Sequence, residues 1–158
     1  MTRTSASTKR VELDDLPGHH IRRLHQIAVA IFLQETQEYG VTPVQFATLQ
    51  GVAAAPDIDQ RTLAGNIGLD TSTLGGVVDR LEARGLMTRN ASPTDRRMRL
   101  LKLTPVGQKM LRTITPAMLR AQQRILEPLP PAKRAEFMES LRTLVTANNA
   151  LSRAPSDI

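Results

Sequence analysis

The stretch that decides the fold is Asp59 to Thr104, DQRTLAGNIGLDTSTLGGVVDRLEARGLMTRNASPTDRRMRLLKLT. It reads as two short capped helices that run into an arginine-rich hairpin. Asp59 is a residue type that caps helix N-termini; Leu63, Ala64 and Ile67 follow at helical spacing, and Gly68 closes the helix. Asp70 at once caps the next helix, so only a tight turn separates the two. Leu74, Val77, Val78 and Leu81 form one apolar stripe on this second helix, and Gly85 followed by Leu86 ends it.

The face opposite that stripe presents Ser72, Gly76 and Asp79, flanked by Thr73, Gly75 and Arg80. Two adjacent glycines inside a helix cost about 1 kcal/mol each relative to alanine, so something other than helix stability must favour them. Close approach to the floor of a DNA groove is one reason; relief of crowding against a neighbouring helix is the other.

A hairpin follows, with a strand near 86–90, a tip at Ala91-Ser92-Pro93-Thr94-Asp95 and a strand from about Arg97 to Thr104. Arg99 shares a face with Leu101 and Leu103, and Lys102 shares the other with Met98 and Leu100. A cation on each face predicts an edge strand. A tight helix pair followed by such a hairpin is a winged helix-turn-helix, which places its second helix in the major groove and its wing against the backbone or minor groove.

Charge agrees with that reading. The chain carries 21 Lys plus Arg against 15 Asp plus Glu, a net +6. Between Arg89 and Lys102 lie Arg89, Arg96, Arg97, Arg99 and Lys102, with Asp95 the only acid. Such a concentration is the footprint of a phosphate-binding surface, although charge alone also fits a solvated basic face.

Outward from this core, 158 residues with 3% aromatics and no Trp allow one domain with an aliphatic, mainly helical interior. The absence of cysteine excludes disulfides, thiolate metal sites and thiol switches within the chain. No apolar run is long enough to span a membrane and MTRTSASTKR has no apolar signal segment, so a cytoplasmic protein is expected. Residues 1–14 read as a disordered basic arm and 152–158 as a flexible tail. Pro17, after Asp14 and Asp15, opens a helix carrying Ile21, Leu24, Ala28 and Ile31, stopped by Gly40. Thr42-Pro43-Val44-Gln45 is a capping box that starts another, which ends before Pro56. Thr104-Pro105 opens a long helix with Val106, Met110, Leu111 and Ile114, where Pro116 should kink or interrupt it. A last helix after Pro130-Pro131 carries Phe137, Leu141, Leu144, Val145 and Asn148 on one stripe. These outer helices could simply complete the monomer core.

From about Leu16 to Leu151 the chain resembles the MarR family of bacterial transcription regulators, and its segment PGHHIRRLHQIAVAIFLQE at 17–35 resembles members that respond to aromatic carboxylate catabolites. The residues that carry the resemblance are QRTLAGNIGLDTSTLGGVVDRLEARGL at 60–86 and DRRMRLLKLTPVG at 95–107. The expected architecture is mainly α with a small β-hairpin wing: one domain over 15–151, with the winged helix-turn-helix at 42–104 between dimerisation helices at 15–40 and 105–151. The resemblance implies that Arg97 enters the minor groove and Asp95 orients it. The DNA-binding set is Ser72, Thr73, Gly76, Arg80, Arg89, Asp95, Arg96, Arg97 and Arg99. Many members carry larger polar residues at the positions of Gly75 and Gly76, which shifts base reading toward Ser72 and Thr73.

The resemblance also implies that the first and last helices interdigitate with a second subunit. A two-fold homodimer would set its recognition helices about 34 to 36 Å apart and read a palindromic operator. His19, His20 and His25 lie beside Arg22 and Arg23 in PGHHIRRLHQIAVAIFLQE. A metal site, a bare polar patch and an anion pocket all fit that cluster. Resemblance favours the pocket, with Arg22 or Arg23 pairing a carboxylate and His19 or His20 bonding a ring substituent. No cofactor is expected. No phosphate loop, nucleophile elbow, paired carboxylates or zinc-binding helix motif argues for an enzyme. The function expected is a repressor released by a small aromatic or heteroaromatic carboxylate; the alternative is an architectural DNA-binding protein indifferent to sequence.

Overall fold

Pro17–Glu35 forms the first helix, α1, of a computed structural model that describes residues 10 to 152. Then come α2 (Pro43–Ala54), β1 (Ile58–Asp59), α3 (Gln60–Asn66), α4 (Thr71–Ala83), β2 (Met87–Ala91), β3 (Arg99–Leu103), α5 (Pro105–Leu126) and α6 (Pro131–Ala147). The expected tail beyond Ser152 and most of the expected arm lie outside the described residues. Within the arm's span, Leu13 and Asp14 join Asp15 in a 3-10 turn, so Asp14 and Asp15 precede α1 without capping it.

The local start signals work as their chemistry requires. The Thr42 hydroxyl accepts from the Gln45 amide at 3.2 Å while the Gln45 side chain accepts from the Thr42 amide at 3.1 Å, closing both halves of the box. Asp59 accepts from the Thr62 amide at 2.9 Å and Asp70 from the Thr73 amide at 2.8 Å. At the other end, α1 stops at Glu35, earlier than Gly40 suggests, and a 3-10 turn over Gln37–Tyr39 carries the chain to that glycine. Gly40 has φ +59°, a left-handed conformation that costs glycine little.

The sheet corrects one expectation. Its order is β1-β3-β2, all antiparallel, so β3 is the central strand and not an edge. Ile58 pairs with Leu101 on one side and Arg89 with Leu101 on the other. The two-residue β1 thus covers the flank that a cation on each face had suggested was open. Leu101 and Leu103 point into the core and Arg99 stays exposed near the tip.

Leu49, Leu63, Leu74, Val78, Leu81, Leu101 and Ile114 are fully buried and bring α2, α3, α4, β3 and α5 onto one aliphatic core. Burying each leucine contributes about 1.5 to 3 kcal/mol relative to leaving it in water. Gly107, at the start of α5, lies against the backbone of Leu86, where a β-carbon would overlap the carbonyl oxygen. The Thr104 hydroxyl donates to the Gly85 carbonyl at 2.6 Å and its amide donates to that of Leu86 at 3.1 Å. The base of the wing is therefore stitched to the end of α4.

Helix α5 runs unbroken through Pro116, against the expected interruption, with Leu111, Ile114, Ala117 and Ala121 buried along one stripe. The proline lies on the exposed side, where the carbonyl it leaves unpaired can meet water. By contrast α6 buries none of its residues, and Leu144 and Val145 are 54% and 69% exposed. On α1, Ile21, Ile27 and Leu33 are likewise exposed and only Phe32 is buried. The two outer helices thus present apolar surface that no other described residue covers.

Candidate nucleic-acid interface

The first turn of α4 leaves Thr71, Ser72 and Thr73 exposed. Thr73 spends its hydroxyl proton on Asp70 at 2.6 Å, so toward a base it can offer only a lone pair. That bond, then the Thr73 amide, holds the Asp70 carboxyl below the usual carboxylate range. The Ser72 amide also bonds the Asp70 carboxylate, while its hydroxyl has no hydrogen-bond partner among the described residues. A β-carbon on Gly76 would meet only Arg80 Nη1, at 3.9 Å, and one on Gly75 only Gln60 Nε2, at 3.4 Å. Gln60 belongs to α3, so Gly75 lies at van der Waals distance from a neighbouring helix, whereas Gly76 meets only its own helix. Together they leave a low surface on the outer side of α4.

Behind that surface, Arg89 of β2 reaches across to α4. Its Nη2 lies 2.6 Å from Asp79 Oδ1 and 3.2 Å from Glu82 Oε2. Two carboxylates flank one guanidinium, so Arg89 ties β2 of the wing to α4.

The wing tip is built around Ser92, which is 6% exposed. Its hydroxyl oxygen accepts from the amides of Thr94 and Asp95 at 3.3 and 3.4 Å, and its amide donates to the Met98 carbonyl at 2.9 Å. Asp95 accepts from the Arg97 amide at 2.9 Å. It therefore shapes the backbone at Arg97 without holding the guanidinium. Arg96, Arg97 and Arg99 are exposed and make no ion pair among the described residues. Arg80 is likewise exposed and unpaired.

Between the wing and α3 lies an open groove of about 700 Å³, lined by Gln60, Arg61 and Thr71 opposite Arg97 and Arg99. Arg61 joins the basic rim although the sequence reading passes over it; only its place in the first turn of α3, beside the capping Asp59, could have signalled it. At Asp59 burial pushes the carboxyl up, but hydrogen bonds from the Thr62 hydroxyl and amide outweigh it and hold the group ionised.

The α1 cluster is organised differently. His20 Nε2 lies 2.7 Å from the Asp14 carbonyl oxygen and 3.6 Å from its carboxylate, and packs edge-on to His19 with ring centres 5.6 Å apart. Arg22 and Arg23 are exposed, with no partner among the described residues. Helical spacing puts His19 near both arginines and His20 near Arg23. At the far end of α1, Glu35 accepts from Arg120 at 3.1 Å and Arg124 at 2.7 Å. The bond from Arg124, then that from Arg120, holds the Glu35 carboxyl low. Arg84, just past α4, donates to the carbonyls of Gly40 at 2.8 Å and Tyr39 at 2.9 Å.

Comparison with known proteins bears on this geometry. Residues 41–98 match the model of the MarR family. The proposed transcriptional regulatory protein of the hcr operon of Thauera aromatica is 37% identical over 80% of this chain and 77% of its own. The PcaV transcriptional regulator of Streptomyces coelicolor, solved with its natural ligand, superposes with a TM-score of 0.82 at 36% identity, covering 89% of this chain and 99% of that one. BpsR of Bordetella bronchiseptica, whose DNA binding is regulated by 6-hydroxynicotinic acid, superposes with a TM-score of 0.81 at 30% identity, covering 85% and 96%. A helix pair capped by Asp59 and Asp70, a braced wing with free arginines and kinship of this extent lead to one conclusion: the chain belongs to the MarR family of bacterial winged helix-turn-helix transcription regulators.

Proposed function

We propose that the chain is a repressor that binds a palindromic operator as a homodimer and is released by a small aromatic or heteroaromatic carboxylate. The observation that carries the DNA half is the row of unpaired cations, Arg96, Arg97 and Arg99 with Arg61 opposite, beside a recognition helix whose outer face is trimmed to Ser72, Thr73 and glycine. The uncovered apolar surface of α1 and α6 supports the dimer. On this reading α4 enters the major groove, Ser72 touches base edges and Arg97 occupies the minor groove.

The effector half rests on BpsR, which answers to a heteroaromatic acid, and on Arg22 and Arg23, two cations without anionic partners beside His19 and His20. A carboxylate paired with either arginine, its ring substituent bonded to a histidine, would favour one spacing of the two winged domains. It acts through unequal affinity for the DNA-bound and free forms. The test is a gel-shift titration on the DNA flanking the chain's own gene, with unrelated duplex as competitor and 6-hydroxynicotinate or hydroxybenzoates as effectors. A regulator prefers its operator by about a thousandfold or more. Equal competition by unrelated duplex would make the chain an architectural DNA binder, and indifference to every acid would remove the effector.

A further inference from the structure

The exposed first turn of α4 carries two neighbouring hydroxyls that differ in what they can give to a duplex. Thr73 Oγ1 lies 2.6 Å from Asp70 Oδ2. A carboxylate has no proton to give, and the bonds from the Thr73 hydroxyl and then its amide keep Asp70 ionised. The hydroxyl proton is therefore held on the Asp70 side, and what Oγ1 turns to solvent is lone pair. The Ser72 hydroxyl makes no such bond among the described residues and keeps its proton as well as its lone pairs.

Duplex DNA offers few partners to a group that can only accept. Its phosphate oxygens accept and do not donate, and so do guanine N7 and O6, adenine N7 and thymine O4 in the major groove. The donors there are the exocyclic amines, N6 of adenine and N4 of cytosine. Thr73 is thus barred from phosphate and from base carbonyls, both of which Ser72 can meet.

We infer that Asp70 is a positioning residue for sequence reading: by holding the Thr73 hydroxyl proton it makes Thr73 an acceptor that selects an adenine or cytosine amine at one base pair of each half-site. The inference rests on the reading that α4 lies in the major groove of a specific operator. An internal control stands at the start of α3, where the Thr62 hydroxyl is spent on Asp59 in the same way. The first helix of such a pair crosses the backbone, and against phosphate an acceptor gains nothing.

The test is selection of bound duplexes from a randomised pool by the full-length chain, as wild type, T73V, D70N and T62V. Valine keeps the branched shape of threonine without its lone pairs. Asparagine caps a helix as well as aspartate does, its oxygen accepting from the Thr73 amide, but its nitrogen donates to Thr73 Oγ1 and releases the hydroxyl proton toward the groove. At one pair of each half-site the wild type is expected to favour the two base pairs that carry the amine on the same strand, about three- to tenfold over the other two. T73V should lose that preference at this pair alone, D70N should reverse it, and T62V should keep it. In the best selected duplex, replacing that adenine or cytosine by its analogue without the amino group should cost the wild type the same three- to tenfold and T73V nothing. Thr62 and Thr73 are exposed, so thermal melting should show their variants folded, and T73V reads the contact even where D70N melts early.

Full wild-type affinity for the duplex without the amine overturns the polarity. A D70N pool identical to that of the wild type reduces Asp70 to a helix cap, and a uniform loss in T73V with no change at any base pair takes Thr73 off the bases; either overturns the inference. Loss of the same preference in T62V makes the effect one of capping, with the same result. These outcomes leave the operator reading standing, whereas a wild-type pool with no enriched sequence removes that reading and this inference together.

Discussion

Arg89 and Asp79 lie 2.6 Å apart, joining the wing to the middle of the recognition helix. Because Asp79 and Glu82 already balance the guanidinium, its loss and the loss of a wing-tip arginine should have different signatures. Arg89→Ala is expected to weaken operator binding about tenfold by letting the wing drift, with the slope of log K against log salt almost unchanged. Salt titrations by fluorescence anisotropy read both quantities; a slope that falls by a full phosphate contact would show Arg89 on the DNA.

Arg97→Ala should behave in the opposite way. Its side chain is exposed and unpaired, so the same titration should lose affinity on every sequence and lower the slope by about 1. An unchanged slope would place Arg97 away from phosphate.

The glycines separate fold from function. Gly107→Ala drives a methyl into the Leu86 carbonyl and should cost about 1 to 3 kcal/mol in urea unfolding, as overpacking does. Gly76→Ala meets nothing closer than 3.9 Å, so stability should hold or rise by up to about 1 kcal/mol. Its DNA affinity should nevertheless drop, because the added methyl stands on the face turned toward the groove. Undiminished affinity would show that this face keeps its distance.

Glu35 sets a pH window. Its pairing with Arg124 and Arg120 holds the folded carboxyl below the unfolded value, so the contribution is present above the ordinary glutamate range and is lost as pH falls through the folded value. Glu35→Gln should flatten the dependence of the melting temperature on pH below about 5 while leaving neutral pH less affected. Parallel acid profiles for the two proteins would refute the linkage.

The uncovered faces of α1 and α6 give the clearest test of assembly. Leu144→Glu with Val145→Glu places charge on residues that the chain leaves exposed, so the monomer should keep its fold while sedimentation shows the dimer dissociating. A monomeric wild type would overturn the dimer outright.

What is legible in the sequence divides by range. Thr42, Asp59 and Asp70 can be assigned as caps because each bonds an amide three residues on, and the stripe Leu74, Val77, Val78, Leu81 is visible because helical period is local. Strand β1 is not legible, since two residues become a strand only by meeting Leu100 and Leu101 far along the chain. The same partner makes β3 central, where cations on both faces had suggested an edge. The wing arginines are readable as a group, yet the division of labour among them is not. That Arg89 is spent on Asp79 and Glu82 while Arg97 stays free depends on which of them faces α4, a matter of register across the hairpin. Asp95 is readable as a partner of Arg97, but whether it holds the backbone or the guanidinium is decided by the turn around Ser92.

A single hydrogen bond is a swivel, but Arg84 makes two, to adjacent carbonyls at the corner between α1 and α2. A planar guanidinium held at two points resists turning, so the corner and the end of the recognition helix are bracketed together. Rotation of α1 in the dimer is then expected to be delivered to α4 as a change of heading, with little of it absorbed as bending in the turn. Cutting the bracket with Arg84→Ala should leave each end intact and uncouple them.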